Sequence, residues 1–199
     1  MAVGNIVPTL RVCMNKACRK AGAHDTVAML LALASTAKLE PAGLGLTAAS
    51  ELTAASVQLA FASSRVLSCG CLGRCGMGPN VASVETGTIF SDVYKPRSGV
   101  SLLQEELQLQ IPEEAVEAYL KRAYADRAIR AGKLDDALEL LTAALNQAGI
   151  LRVRAAFLLA SLLERRADVH DLRGHEEAAR TDRQAAQRML EHRFESIPA

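Results

Sequence analysis

The sequence predicts a mixed α/β region followed by a wholly helical region, and three observations carry this prediction. Short segments of alternating apolar residues lie at 6–12, 81–84 and 88–93, around an N-terminal helical pattern. From Ile111 onward the pattern is helical throughout. Between the two regions, three cysteines and four glycines lie within the ten residues 69–78. That composition suits neither a helix nor a strand, so it predicts a loop wrapped around a bound group.

The composition predicts the kind of core and argues against two classes of protein, nucleic-acid binders and membrane-spanning proteins. Half of the residues are hydrophobic but only 4% are aromatic, so the core is expected to consist of Ala, Leu and Val in closely packed helices. The formal net charge is +1 without a concentrated basic segment, which argues against a nucleic-acid partner. No apolar window is long enough to span a bilayer. We therefore expect a soluble protein without a direct membrane span.

The first hundred residues predict the order β-α-β, loop, β-β. Residues 6–12 form a strand that ends at Cys13, and Asn15 caps a helix that runs to about residue 38. Residues 56–67 form a second strand that leads into the cysteine loop. The segments 81–84 and 88–93 form two further strands joined by a hairpin.

Four helices are predicted in the second half. They cover residues 111–130, 134–145, 149–168 and 176–193, and the first of them stops before Gly132. Because the connections are short, the helices are expected to form antiparallel hairpins.

The five cysteines indicate metal ligation in a reducing compartment. Their number is odd, and their clustering beside glycines is unlike a disulfide framework. Two pairs, Cys13 with Cys18 and Cys71 with Cys75, suffice for one four-thiolate site, which can hold structural zinc or an iron–sulfur cluster. The loop glycines favour the larger cluster, since they permit a close approach of backbone N–H groups; they are Gly70, Gly73, Gly76 and Gly78.

The motif Cys13-x4-Cys18, followed by Cys71-Leu-Gly-Arg-Cys75-Gly-Met-Gly-Pro79-Asn-Val, resembles the thioredoxin-like 2Fe-2S ferredoxins. That family is related in fold to the small cluster subunit of respiratory complex I, and the resemblance covers about residues 6–100. It implies a thioredoxin-like α/β domain with a 2Fe-2S cluster held by Cys13, Cys18, Cys71 and Cys75. It also implies that Pro79 precedes a strand.

Other interpretations of the cysteines remain open. The four thiolates can hold a zinc ion or form a redox dithiol site instead of a cluster. Cys69, a fifth cysteine, departs from the family's pattern and is interpreted as a small buried hydrophobic residue, with ligand exchange as its functional alternative. A Rieske-type centre is disfavoured because the histidines are scattered at positions 24, 170, 175 and 192. No hydrolytic motif appears, so an enzyme is the less favoured class.

The helical region resembles a tetratricopeptide repeat (TPR), on the spacing of Gly132, Leu134, Ala137 and Leu138. A weaker second unit places Gly174 and Ala179 at the same spacing. The alternative is a plain helical bundle that shields the first region. The arginines between 152 and 180 are interpreted as a solvated helix face, or else as the lining of a groove for an acidic ligand.

These observations predict a thioredoxin-like 2Fe-2S domain over residues 1–110 and an all-α, TPR-like interaction domain over 111–199. The expected function is a one-electron carrier or cluster-bearing subunit, docked to a protein complex through its helical domain and meeting a redox partner near residues 71–79. The alternative is a non-catalytic scaffold or assembly factor with a structural cluster or zinc ion. The resemblance extends to plant and algal proteins of the same two-part design, which implies a chloroplast location; the cytoplasm is the alternative.

Overall fold

The computed structural model describes residues 8–37, 65–151 and 155–191, and these form a mixed α/β fold. Within these ranges there are one four-stranded sheet and seven helices. None of the helices in the described ranges is long and apolar enough to cross a membrane.

The sheet consists of β1 (Leu10–Cys13), β2 (Val66–Cys69), β3 (Val81–Ser83) and β4 (Ile89–Phe90). Its strand order is β2-β1-β3-β4, with β1 parallel to β2 and the other two pairs antiparallel. A parallel pair requires a crossover connection, and helices follow β1 as that connection demands. The predicted order of strands around the cysteine loop is confirmed. The predicted parts of the first and second strands at 6–7 and 56–64 lie outside the described residues.

The helices fill the rest of the fold. Their bounds are α1 (Lys16–Lys20), α2 (Ala23–Ala34), α3 (Pro96–Leu107), α4 (Glu113–Arg130), α5 (Leu134–Gly149), α6 (Ala156–Leu172) and α7 (Glu176–Glu191). The helices α4 and α7 match their predicted positions closely. The predicted start of the third C-terminal helix at residue 149 is wrong, because Gly149 still belongs to α5.

The single helix predicted from residue 16 to about residue 38 is also wrong. Gly22 lies between α1 and α2 with a φ of 97°, a left-handed conformation that interrupts a right-handed helix. The break gives α2 its own N-terminus. The end of the predicted helix, at residue 38, lies outside the described residues.

Helix α3 was not predicted. Half of its residues are polar, and its first residue, Pro96, suits a helix start. Tertiary packing explains why it forms here: a Cβ on Gly99 would lie 2.7 Å from Cε of Met29 and 3.4 Å from Cδ2 of Leu30. Gly99 thus lets α3 pack closely on α2.

The buried apolar residues form one main cluster that passes from the sheet into the helical region. It includes Leu10 of β1, Leu30 of α2, Leu103 of α3, Leu141 of α5 and Leu158 of α6, all fully buried. The sheet and the C-terminal helices therefore share a core. The boundary between residues 110 and 111 stays a prediction.

Candidate metal centre

The ends of three strands bring the cysteine-bearing segments together. In the parallel β1–β2 pair, Cys13 lies opposite Cys69, and the N–H of Met14 donates to the carbonyl of Cys69 at 3.0 Å. On the other side of β1, the N–H of Cys13 donates to the carbonyl of Asn80 at 2.9 Å. The loop of residues 70–80 thus begins and ends beside Cys13.

Cys18 lies in α1, next to this point. The side chain of Asn15 caps α1 as predicted, with its Oδ1 accepting from the N–H of Ala17 at 3.4 Å. Cys13 and Cys18 are both about 1% exposed. One of the two predicted cysteine pairs is therefore buried.

Cys71 and Cys75 are exposed in the loop, and their sulfur atoms lie 3.5 Å apart. Two thiolates bound to the same tetrahedral metal lie about 3.8 Å apart when each metal–sulfur bond is about 2.3 Å. The N–H of Gly73 donates to the sulfur of Cys71 at 3.4 Å. This second pair therefore has a spacing that suits two ligands of one metal ion.

Gly78 packs directly against the buried pair. A Cβ at this position would lie 2.7 Å from Sγ of Cys18 and 3.3 Å from its Cα. By contrast, a Cβ on Gly70 would meet nothing within 4 Å. Gly78 therefore allows the loop to pack closely on Cys18. The approach of backbone N–H groups to a cluster stays a prediction.

Asn80 is a site residue that the sequence prediction missed. Its side chain is about 1% exposed, and its Nδ2 donates to the carbonyl of Arg74 at 2.7 Å and to Sγ of Cys18 at 3.6 Å. Within the part of the chain that the structure describes, its Oδ1 is buried without a hydrogen-bond partner. An amide side chain directly before an apolar strand was the signal in the sequence, because a polar side chain there requires a partner.

The environment separates the pKa values of the two buried thiols. Burial alone would raise the pKa of Cys13, but the backbone N–H groups of Asn15 and Leu72 and the thiols of Cys18 and Cys71 lower it below its ordinary value. Burial, followed by the neighbouring Cys13, raises the pKa of Cys18, while Asn80 partly opposes that rise. Cys13 is therefore the preferred thiolate of the pair.

The exposed Cys75 has a raised pKa, first through its hydrogen bond with Cys71 and then through the charge of Cys71. Cys71 is also among the groups that lower the pKa of Cys13. The exposed pair therefore lies close enough to the buried pair for Cys71 to affect the ionisation of Cys13.

Cys69 was predicted to be buried, but it is only half-buried, at the end of β2. Its sulfur lies 3.3 Å from the carbonyl oxygen of Gly70. Burial raises its pKa, and the charges of Cys13, Cys18 and Cys71 raise it further. Cys69 is therefore a neighbour of the four-cysteine group and a poorer thiolate than Cys13.

Across residues 8–37, 65–151 and 155–191, no group of three or more His, Cys, Asp or Glu side chains is arranged to hold a metal ion. The sulfurs of the four predicted ligands form one buried and one exposed pair. Four cysteine thiolates are the ligand set of a 2Fe-2S cluster. The backbone and amide N–H groups aimed at the sulfurs suit such ligands.

The surface of the loop, where a redox partner was predicted, is mixed. Met77 is 55% exposed, Leu72 is half-buried and Pro79 is buried. Arg74 and Lys16 are exposed. The accessible side of the site therefore combines apolar and basic side chains.

The interpretation of the arginines as a solvated face is wrong for Arg165 and Arg166, which are only partly exposed, whereas Arg173 is exposed as expected. Arg152 lies outside the described residues. Arg165 binds Asp126 at 2.6 Å, Arg166 binds Asp182 through two contacts of 2.7 Å, and Arg173 binds Asp135 at 2.6 Å. Arg180 is exposed. These ion pairs tie neighbouring helices together.

A groove of about 510 Å³ lies between α5 and α6. Leu138 and Asn146 of α5 and Arg166 and His170 of α6 are among the residues that line it. The guanidinium of Arg166 is already bound to Asp182 there, so its charge is largely satisfied within the chain.

Comparisons with models of known protein families, with curated proteins and with solved structures found no match to this chain.

Proposed function

We propose that this chain is a 2Fe-2S protein with a thioredoxin-like domain, and that it carries one electron or serves as the cluster-bearing subunit of a larger complex. The observation that carries the proposal is that the loop of residues 70–80 begins and ends beside Cys13 and packs through Gly78 on the sulfur of Cys18. The sulfurs of Cys71 and Cys75, in the same loop, lie 3.5 Å apart. The strand order β2-β1-β3-β4, with β1 parallel to β2, supports the proposal of a thioredoxin-like fold.

A bound 2Fe-2S cluster would supply one-electron redox chemistry. The two cysteine pairs and two N–H donors would have different roles in holding the cluster. Cys13 and Cys18 exclude water from one side, because both are buried. Cys71 and Cys75 face solvent, so a redox partner would approach from their side. The N–H of Gly73 and the amide of Asn80 stabilise negative charge on the sulfurs.

We assign docking to the helical region, whose two hairpins repeat the same local features. Gly132 and Gly174 have φ values of 74° and 73°, and Ala137 and Ala179 are both fully buried. Each glycine ends a helix, and each alanine lets the next helix pack closely. This repetition supports the interpretation of the helical region as TPR-like. We propose that the groove between α5 and α6 binds a segment of a partner protein.

The test is to purify the full chain without oxygen and to measure its absorption spectrum, its iron and sulfide content and its electron paramagnetic resonance. We expect two iron and two sulfide ions per chain, the composition of a 2Fe-2S cluster, and a paramagnetic signal after one-electron reduction. Reoxidation should restore the initial spectrum. Zinc without sulfide would overturn the cluster, and a cluster that is lost on reduction would favour the scaffold over the carrier.

A further inference from the structure

A second cavity, of about 240 Å³, lies where α4 meets the start of α2. Ala21, Gly22, Asp25 and Thr26 form one wall. The segment Tyr94–Pro96 and residues of α4 form the others. The volume is below that of a site for a drug-sized ligand, so it suits a small molecule.

Positive charge dominates the lining. Lys95, Arg122, Arg127 and Arg130 line the cavity, and none of them forms an ion pair with a carboxylate in the part of the chain that the structure describes. Two carboxylates also line it. Asp126, however, is engaged by Arg165 at 2.6 Å, which leaves Asp25 as the main opposing charge. The cavity therefore holds an excess of positive charge that the described carboxylates do not neutralise.

Aromatic rings lie beside three of these cations. The ammonium of Lys95 lies 5.5 Å from the ring centre of Tyr94. The guanidinium groups of Arg122 and Arg127 lie 5.1 Å and 5.6 Å from the ring centres of Tyr119 and Tyr124. Such contacts hold a cation in place while leaving its N–H groups available to an acceptor.

Arg122 is only partly satisfied. Its Nη1 donates to the hydroxyls of Tyr119 at 3.5 Å and Ser161 at 3.3 Å, whereas its Nε is buried and has no hydrogen-bond partner among the described residues. A buried guanidinium N–H without an acceptor is costly, which indicates that an acceptor belongs beside it.

The start of α2 adds backbone donors. Its N-cap is Gly22, which provides no side-chain hydrogen bond to the first turn. The first N–H groups of a helix lack intrahelical acceptors, and they carry the positive end of the helix dipole. Since Gly22 and Thr26 both line the cavity, this end of α2 faces the same space as the arginines.

We propose that this cavity binds the phosphate group of a small phosphate monoester. Donors converge on it from the arginines of α4, from Lys95 and from the first turn of α2. A tetrahedral phosphate can accept hydrogen bonds from several directions at once, whereas a planar carboxylate accepts them mainly in its own plane. The tyrosine rings leave an apolar surface for the carbon part of the ligand.

Titration calorimetry of the full chain with glycerol phosphate tests this site, with succinate as the carboxylate comparison. We expect one molecule of glycerol phosphate per chain and weaker binding of succinate. The double variant Arg127→Gln/Arg130→Gln should weaken binding by about tenfold or more, as the loss of charge-assisted hydrogen bonds predicts. The matched control is Arg180→Gln/Arg188→Gln on α7, which removes the same charge from exposed positions and should leave binding unchanged.

Equal weakening by the control variant would overturn the site, since it would indicate binding to general surface charge. Equal affinity for succinate would overturn the choice of phosphate, and no binding of glycerol phosphate at millimolar concentration would overturn both. Should the α4 variant fail to fold by circular dichroism, Lys95→Gln on the opposite wall provides the same test at an exposed position.

Discussion

At the scale of single residues, the four cysteines differ in burial although the sequence presents them as equivalent ligands. Cys13 and Cys18 belong to the core, whereas Cys71 and Cys75 face solvent. A serine at a buried position leaves a hydroxyl among apolar neighbours as well as removing a ligand. Loss of metal and loss of stability are therefore coupled more tightly for the buried pair.

Serine substitution of the cysteines is the first prediction. Cys13→Ser, Cys18→Ser, Cys71→Ser and Cys75→Ser should each abolish or alter the visible absorption of the proposed cluster, because each removes a thiolate. Cys69→Ser should preserve it, since this half-buried thiol lies outside the two pairs. Absorption and iron content of the five purified variants provide the measurement. A colourless Cys69→Ser protein would refute the ligand assignment.

Gly78 allows a second prediction. In Gly78→Ala the added methyl group would lie 2.7 Å from the sulfur of Cys18, so the loop or α1 must shift. We expect a loss of about 1–3 kcal/mol in the free energy of unfolding, as for other overpacked sites, together with reduced iron content. Urea unfolding and iron analysis provide the measurements.

The matched control is Gly70→Ala in the same loop. Its φ is not positive, and an added Cβ would meet nothing within 4 Å, so stability and iron content should stay at the level of the unsubstituted protein. If both variants lost iron equally, the loss would result from reduced flexibility of the loop and not from contact with Cys18.

At the scale of elements, the loop of residues 70–80 is expected to meet the redox partner. Arg74 and Met77 are exposed on it, beside the exposed cysteine pair. Arg74→Glu should slow electron exchange with an acidic donor several-fold at low ionic strength, because it reverses a charge that attracts that donor. Stopped-flow rates over a range of salt concentrations measure this effect.

Arg180→Glu on α7 is the control for this charge reversal, since it changes the net charge equally at an exposed position of the helical region. Equal slowing by both variants would show that overall charge, not the loop surface, determines the rate.

The hairpin of α6 and α7 carries a histidine whose charge should affect stability. Burial lowers the pKa of His170, Asp182 opposes this shift, and the neighbouring charges of Arg166, His175 and Arg173 add to it. Its Nδ1 is buried without a hydrogen-bond partner in residues 8–37, 65–151 and 155–191, and its Nε2 lies 4.0 Å from Oδ2 of Asp182. The folded protein therefore favours the neutral ring.

Because the folded pKa of His170 lies below the unfolded value of about 6.5, the unfolded chain binds more protons between these two pH values. The stabilising contribution of neutral His170 is thus present above about pH 6.5 and is lost as the pH falls toward the folded pKa. Urea unfolding between about pH 5 and 7.5 should show this decline. It should be reduced in His170→Gln and retained in His175→Gln, whose side chain is exposed. Identical pH profiles for all three proteins would exclude the role of His170.

At the scale of the whole molecule, the shared core links the sheet to the C-terminal helices. Leu158 of α6 and Leu30 of α2 are fully buried members of the same cluster. Leu158→Ala should therefore cost about 2–5 kcal/mol, as truncations of buried leucine do. The free energy of opening, measured by hydrogen exchange, should fall by the same amount for amides of α2 and β1 as for amides of α6.

Leu172→Ala is the control, since Leu172 is 62% exposed at the end of α6 and its truncation should have little effect on either region. Unchanged protection of β1 and α2 in Leu158→Ala would show that residues 1–110 unfold as a separate unit, as the predicted domain boundary implies.

Local patterns in the sequence determined most of the regular structure. Alternation predicted β3 and the hairpin after it, and capping signals predicted the start of α1 and the positions of α4 and α7. These elements depend on interactions between near neighbours in the chain, so their residues carry enough information. The two cysteine motifs, Cys13-x4-Cys18 and Cys71-x3-Cys75, were visible for the same reason, because the spacing within each motif is a local property.

Tertiary structure decided the rest. Helix α3 forms against α2 through the contact of Gly99 with Met29, and no local pattern specifies that contact. The packing of Gly78 on Cys18, the amide of Asn80 on the same sulfur and the ion pairs of Arg165 and Arg166 all join residues distant in sequence. Such interactions depend on how helices, strands and loops pack in three dimensions. Composition and periodicity describe only neighbours along the chain, so they do not specify this packing. The burial of one cysteine pair and the exposure of the other follow from the same cause.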